Sequence, residues 1–233
     1  MSKSYLVVGA STGIGLELTK QLTGTGNKVY AVARTQGELA NVQATTFISF
    51  DVLSDEVFEF DIEVLDGFVY CPGTINLKPF HRLKKEDFLY DFSVNVLGAV
   101  KMLQHVLPAL KKGKDPSVLF FSTVAVQPGM GFHTSVAASK GVVEGLVRSL
   151  AAELAPAIRV NCIAPSVTDT QLAARLLSSD EKRKVSGKRH PMQRIGSSTD
   201  IANAAEFLLS DKAGWITGQI LAADGGLSTL RTL

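Results

Sequence analysis

Short apolar runs, many of them β-branched, alternate along this chain with longer stretches in which apolar residues recur at helical spacing. Tyr5–Val8, Lys28–Ala33, Thr46–Phe50, Leu65–Tyr70, Ser117–Ser122, Arg159–Ile163 and Gln219–Ala222 read as strands. Several are apolar at successive positions, without in–out alternation, as parallel strands covered on both faces should be. Helical patterns occupy Gly15–Thr23, Lys84–Leu110, Val136–Leu154, Gln171–Lys184 and Thr199–Leu209. Repeated β-α units joined by right-handed crossovers predict an α/β fold, a doubly wound and mainly parallel seven-stranded sheet with helices on both faces. Residues 54–63 are short for a full crossover helix. Gly187–Gly196 reads as a mobile loop, and residues 171–196 as a substrate lid on a single domain spanning 1–233.

The stretch Gly9-Ala10-Ser11-Thr12-Gly13-Ile14-Gly15 sits between the first strand and the first helix. Glycines at this spacing allow a tight turn and close approach of the backbone to a pyrophosphate. The helix behind them offers free N–H groups and a partial positive charge. Strand, glycine turn and helix in that order make the sheet Rossmann-type and the loop a nucleotide-cofactor site. After the second strand, where an acid would bind the ribose of NAD, the chain has Ala33-Arg34-Thr35. A guanidinium suits a 2′-phosphate, so NADP(H) is the expected cofactor; the bland reading is a solvated loop arginine. Asp51-Val52, ending the third strand, can receive the adenine, although an aspartate there is also a common turn residue.

Composition narrows the classes without choosing among them. Of 233 residues, 45% are hydrophobic and 20% charged, ordinary values for a globular chain. A chain this long buries roughly 70% of its unfolded surface and needs no disulfide or metal staple. The net charge of +2 gives no reason to expect nucleic acid or an anionic membrane. Cys71 and Cys162 lack metal-ligand spacing, so no metal is expected. No apolar stretch is long enough to span a bilayer and no leader-like core precedes the first strand; the expected location is the cytoplasm.

In this order the segments resemble the classical single-domain short-chain dehydrogenase/reductase family, from Gly9 to Gly226. The resemblance rests on the glycine loop, Asp51-Val52, Val94-Asn95-Val96, Ser139-Lys140, Arg159 through Pro165, Pro191 through Gly196, and Ile216-Thr217-Gly218 through Asp224-Gly225-Gly226. It implies an oxidoreductase acting on a carbonyl/alcohol pair of a small molecule. It implies cofactor contacts from Gly9, Ser11, Thr12, Gly13, Ile14, Gly15, Arg34, Thr35, Asp51, Val52, Cys71, Pro72, Gly73, Asn95, Lys140, Pro165, Ser166, Val167 and Thr170. It also implies a homodimer or homotetramer formed through the helices at 88–110 and 136–154.

The family's chemistry uses an asparagine, a serine, a tyrosine and a lysine. The tyrosine protonates the carbonyl, and a nearby lysine charge lowers its pKa. Asn95 fills the asparagine place, Thr123 the serine place and Lys140 the lysine place. The tyrosine place, four residues before Lys140 and on the same helix face, is Val136, which has no proton to give. Two neighbouring motifs also depart: Tyr70-Cys71-Pro72-Gly73 stands for Asn-Asn-Ala-Gly, and Pro165-Ser166 for Pro-Gly. His133 is the chemically best replacement donor, against the plain reading of a surface histidine. Cys71 reads as a small apolar filler. Residues 181–184 and 188–190 form a basic cluster that could steer an anionic substrate, or simply be the solvated face of a lid helix. Two functions therefore compete: an NADP(H)-dependent oxidoreductase with an altered catalytic site, and a non-catalytic NADP(H)-binding regulatory or structural protein.

Overall fold

The structure is a computed structural model that describes residues 2–58 and 61–231. Its main sheet contains β1 (Ser4–Val8), β2 (Lys28–Ala33), β3 (Thr45–Ser49), β4 (Gly67–Tyr70), β5 (Ser117–Phe121), β6 (Arg159–Pro165) and β9 (Ile220–Ala223), in the order β3-β2-β1-β4-β5-β6-β9. Every pairing is parallel, with registers such as Val8↔Val32, Val8↔Tyr70 and Phe121↔Ile163. A second, two-stranded ribbon pairs β7 (Thr168–Asp169) with β8 (Gly196–Ser197).

The strands lack alternation because both of their faces are buried. Leu6, Val8, Phe68, Tyr70, Val118 and Phe120 face α3 (Gly98–Leu110) and α4 (Thr134–Leu154) in one apolar layer. Their neighbours Tyr5, Val7, Val69, Leu119 and Ile163 pack with α1 (Gly13–Gly24) and α6 (Ser198–Leu209) in the other. The strand order reverses between β1 and β4, and in such sheets the crevice beyond the strand ends is where ligands bind.

Three expectations need correction, two of them helical. The pattern over Lys84–Leu110 is not one α-helix. It is α2 (Lys85–Phe92), a π-helical turn at Ser93–Leu97, and then α3. The Tyr70 hydroxyl donates to the Val94 carbonyl at 2.6 Å inside that turn, and a Cβ on Gly98 would lie 2.4 Å from the same hydroxyl. Gln171–Lys184 is not a helix throughout either. A 3-10 turn at Gln171–Ala173 is capped by Thr170, and α5 (Asp180–Lys188) starts only where the Ser179 hydroxyl accepts from Lys182 N at 3.3 Å. Serine at the N-cap, with Asp180 and Glu181 in the first turn, sets that boundary. Finally, 187–196 is pinned rather than free: His190 is buried, Met192 N donates to Gly225 O, and Gly196 N donates to Val167 O.

Residues 59 and 60 of the short β3–β4 connection lie outside the described residues. The described remainder forms no helix and is anchored by buried Phe58, edge-on to Phe50 at 5.0 Å. Among the described residues no helix is long and apolar enough to cross a membrane.

Candidate active site

A cleft of 410 Å³ opens at the carboxyl ends of β1, β2 and β4. Its floor is the glycine loop. Gly9 has φ +77° and Gly13 φ +56°, both in the left-handed region that favours glycine. A Cβ on Gly15 would sit 2.3 Å from the Gly9 carbonyl oxygen, so the turn cannot close with a side chain there. Thr12 precedes α1 without a side-chain cap, and the first turn of that helix holds no acid. The orphan N–H groups and the positive end of the helix dipole are thus left to an anion. Ser11, Thr12 and Ile14 line the cleft beside the glycines.

At the far end, Arg34 and Asp51-Val52 line the same cleft. Arg34 is exposed and, among the described residues, forms no ion pair. Asp51 accepts from Leu53 N through Oδ1 at 3.0 Å, as a turn residue does, and still faces the cleft. Thr35 is exposed and does not line it. Cys71, Pro72 and Gly73 form the wall opposite the glycine loop. The Pro72 ring lies 3.0 Å from where a Gly9 Cβ would be, so the proline fills rather than blocks the position. This cradle fits a dinucleotide: its close approaches are glycine-lined, its helix end is uncapped, and its far end offers a free cation.

A second cavity of 170 Å³ continues from the cleft, sharing Ile14, Cys71, Gly73, Thr170 and Leu172 with it. Thr123, His133, Val136, Lys140, Pro165, Ser166 and Val167 line it. Val136 and Lys140 are buried one turn apart on α4. Lys140 Nζ donates to Phe121 O at 2.8 Å. Burial pushes its ammonium down to about 8, against the opposing attraction of the Cys162, Cys71 and Asp91 sites. Thr123 Oγ1 accepts from Ala125 N at 3.3 Å and keeps its own proton for a ligand. Its neighbour Ser122 is committed to the buried Glu144 carboxylate at 2.9 Å.

Asn95 stands behind the cavity in the π turn. Its amide donates to Thr74 Oγ1 at 3.0 Å and Ser139 Oγ at 2.9 Å, while its buried Oδ1 has no partner. That oxygen and Lys140 Nζ lie 3.6 and 3.5 Å from the same point above Gly73. An orphan acceptor beside an ammonium is where a bridging water or a ligand hydroxyl fits.

The remaining titratable candidates separate clearly. Burial pushes the Cys71 and Cys162 thiols up to about 12, so neither is a thiolate near neutrality. This fits Cys71 as a filler. Tyr70 is strand packing: it is buried, and burial raises its pKa. His133 is half-buried at the rim, with Nδ1 2.7 Å from the Gly131 carbonyl. His190, read from sequence as part of a basic cluster, is instead buried inside the fold, with Ser166 Oγ 2.8 Å from its Nε2. Arg183 of that cluster is paired with Asp169 at 2.6 Å.

Sequence reasoning missed two further constellations. Buried Asp91 accepts from Ser135 Oγ at 2.5 Å, with its Oδ1 unpartnered. Ser166 and His190 are 24 residues apart, a separation at which no periodicity could link them.

A family model described as Enoyl-(Acyl carrier protein) reductase matches residues 9–228. A 3-oxoacyl-[acyl-carrier-protein] reductase from Staphylococcus epidermidis is 31% identical over 97% of this chain and 99% of its own. The chain belongs to the short-chain dehydrogenase/reductase family. An L-xylulose reductase from Bos taurus is another relative, 31% identical over 95% of this chain and 94% of its own. Among solved structures, ligand-free aldohexose dehydrogenase from Thermoplasma acidophilum superposes with a TM-score of 0.89 at 28% identity, covering 100% of this chain and 96% of that one. ElxO, solved with NADP bound, superposes with a TM-score of 0.88 at 23% identity, over 99% of this chain and 100% of that one. As a short-chain dehydrogenase/reductase, the chain carries the family's seven-stranded Rossmann-type sheet intact.

Proposed function

We propose that this short-chain dehydrogenase/reductase is an NADP(H)-dependent oxidoreductase of a small carbonyl/alcohol pair, working with an altered catalytic site. The continuity of the glycine-floored cleft with the cavity holding Thr123 and Lys140 carries the reading. When bound, the cofactor supplies or takes up the hydride. Gly9 through Gly15 would hold its pyrophosphate, Arg34 its 2′-phosphate, and Pro165, Val167 and Thr170 the nicotinamide end. Thr123 would donate to the carbonyl oxygen. Lys140 and Asn95 would order the polar edge above Gly73. Residues 171–196 would act as the substrate lid of a single domain. The cavity is walled by Ile75, Leu77, Phe121, Val136, Leu172 and Leu176, which suits a largely apolar substrate. Leu97 and Val142, exposed on the π turn and on α4, suit a homodimer or homotetramer contact.

Val136 favours a second reading, a regulatory or structural protein that binds NADP(H) without turning substrate over. Both readings predict NADPH binding, so turnover decides between them. NADPH oxidation with a panel of ketones and 3-oxoacyl thioesters is expected to exceed the protein-free rate. Tight NADPH binding with no turnover on any substrate would establish the second reading instead.

A further inference from the structure

The reading above needs a proton donor that Val136 cannot be, and the sequence points to His133. The structure offers a better connected group. Ser166 lies on the wall between two cavities: the reaction cavity, and a separate one of 310 Å³ beyond β6 that is also lined by His190. His190 is 3% exposed. Its Nδ1 is 2.8 Å from the Ser186 carbonyl of α5, and its Nε2 is 2.8 Å from Ser166 Oγ. A carbonyl only accepts, so Nδ1 carries a hydrogen whatever the state of the ring. In the neutral ring Nε2 is then the acceptor, and the Ser166 hydroxyl donates to it. In the imidazolium the same bond runs in reverse, and the Ser166 proton is free to point into the reaction cavity.

We propose that Ser166 and His190 form the proton relay of the reaction in place of the tyrosine. The proposal rests on the oxidoreductase reading. In alcohol oxidation, the substrate O–H bond breaks and its proton passes to Ser166 Oγ, while the Ser166 proton passes to His190 Nε2. His190 becomes an imidazolium, and the substrate's hydride leaves to NADP⁺. In carbonyl reduction each transfer reverses: Ser166 protonates the carbonyl oxygen, takes a proton from His190 Nε2, and leaves the ring neutral. Ser166 is the catalytic residue because it lines the reaction cavity; His190 acts through it.

His190 shares its cavity with charged side chains. Asp224, from the turn after β9, lies close enough for His190 to favour its charged form. Burial opposes ionisation of Asp224, but its bonds from Ser228 and Gly226 outweigh burial and hold its pKa below the usual carboxylate range. Arg194 and Asp200 face the same cavity as a mutually neutralising ion pair at 2.6 Å. Lys188 and Arg189 precede His190 along the chain. His133, by contrast, sits at the rim of the reaction cavity and, among the described residues, forms no ion pair.

The test compares wild type with Ser166→Ala, Ser166→Thr, His190→Gln and His133→Ala, by NADPH oxidation, NADPH affinity from cofactor fluorescence, and ¹⁵N imidazole spectra. Ser166→Ala and His190→Gln are expected to lower kcat about 100-fold or more, the usual range for a lost proton-transfer group. Ser166→Thr should recover most of that loss, and NADPH affinity should stay within about threefold throughout, the mark of an interaction used only in the transition state. His133→Ala should lower kcat far less than Ser166→Ala does. In the spectra, neutral His190 should carry its hydrogen on Nδ1, and its Nε2 resonance should move in Ser166→Ala. Wild-type turnover that survives Ser166→Ala, a loss of kcat matched by a loss of NADPH affinity, or an Nε2–H tautomer would each overturn the relay alone. Absence of wild-type turnover would instead sink the oxidoreductase reading on which the relay stands.

Discussion

At the phosphate end of the cleft, the groups that face a ligand belong to the backbone: the turn at Gly9–Gly15 and the uncapped start of α1. At the reaction end they are side chains, those of Thr123, Val136, Lys140 and Ser166. The two ends tolerate change differently. A backbone cradle fails with almost any added side chain, so its sequence is confined to glycine and small residues. A side-chain constellation can lose one member and keep its frame. Here the frame persists around Val136, with Lys140 still buried and Asn95 still bonded to Ser139.

The largest effect should come from the phosphate end. Gly13→Val places a branched side chain at φ +56°, with its Cβ 3.3 Å from Thr170. NADPH binding is expected to disappear while circular dichroism still reports the folded sheet. A folded Gly13→Val protein with wild-type affinity would mean that the phosphates sit elsewhere. Next, Arg34→Ala removes the cation that, among the described residues, lines the end of the cleft proposed for the adenosine. NADPH affinity should fall about ten- to a hundredfold, the worth of a charged hydrogen bond of roughly 1.5–3 kcal/mol, while NADH affinity stays unchanged. Equal losses for both cofactors in a titration would reassign Arg34 to a structural role.

At the reaction end, Val136→Tyr should raise ketone reduction about tenfold, because the hydroxyl would project from the same face of α4 as Lys140. Overpacking the cavity should cost stability by about 1–3 kcal/mol. Unchanged turnover in a folded variant that binds NADPH would show the frame to be no longer competent for tyrosine chemistry.

The smallest effect concerns acid. The loop after β4 is tied to α2 by Lys78 and Asp87 at 2.5 Å. The Lys78 hydrogen bond, with others from Lys84 N and Asn76, holds Asp87 down at about 2 against an ordinary 3.8. A depressed folded-state value means that this contribution is fully present above pH 3.8 and lost as pH falls through about 2. Thermal unfolding of Asp87→Asn should therefore be less pH-dependent than wild type between those limits. Parallel curves for the two proteins would remove the tie from the acid response.

The phosphate end was legible in the sequence because its requirements are local. Gly9, Gly13 and Gly15 lie within one turn, flanked by a strand and a helix whose periods are plain. The doubly wound, parallel sheet followed from the β-α alternation, and the structure adds the strand order. Three features were hidden, two of them because each depends on a distant residue. The π turn is held by Tyr70, 24 residues from Val94. The segment 171–184 breaks before α5 because the Ser179 hydroxyl caps a helix there, whereas apolar spacing alone favours a longer one. His190 looks like surface amid Lys188 and Arg189, and only the fold carries it beneath α5 to Ser166.

The π turn at Ser93–Leu97 acts as a phase step between two helices. An extra residue in one turn rotates everything after it by about 100° relative to an uninterrupted α-helix. The face that α3 lays on the sheet, made of Ala99, Met102, Leu103, Val106 and Leu110, is in register with the strands only because of that step. A single deletion within 93–97 would take out the extra residue, let a regular helix run from α2 into α3 with that face still on the sheet, and straighten the turn that carries Asn95. The apolar seat of α3 and the placing of Asn95 are thus separable: the first depends on helix phase, which such a deletion keeps, and the second on the wide turn, which it removes.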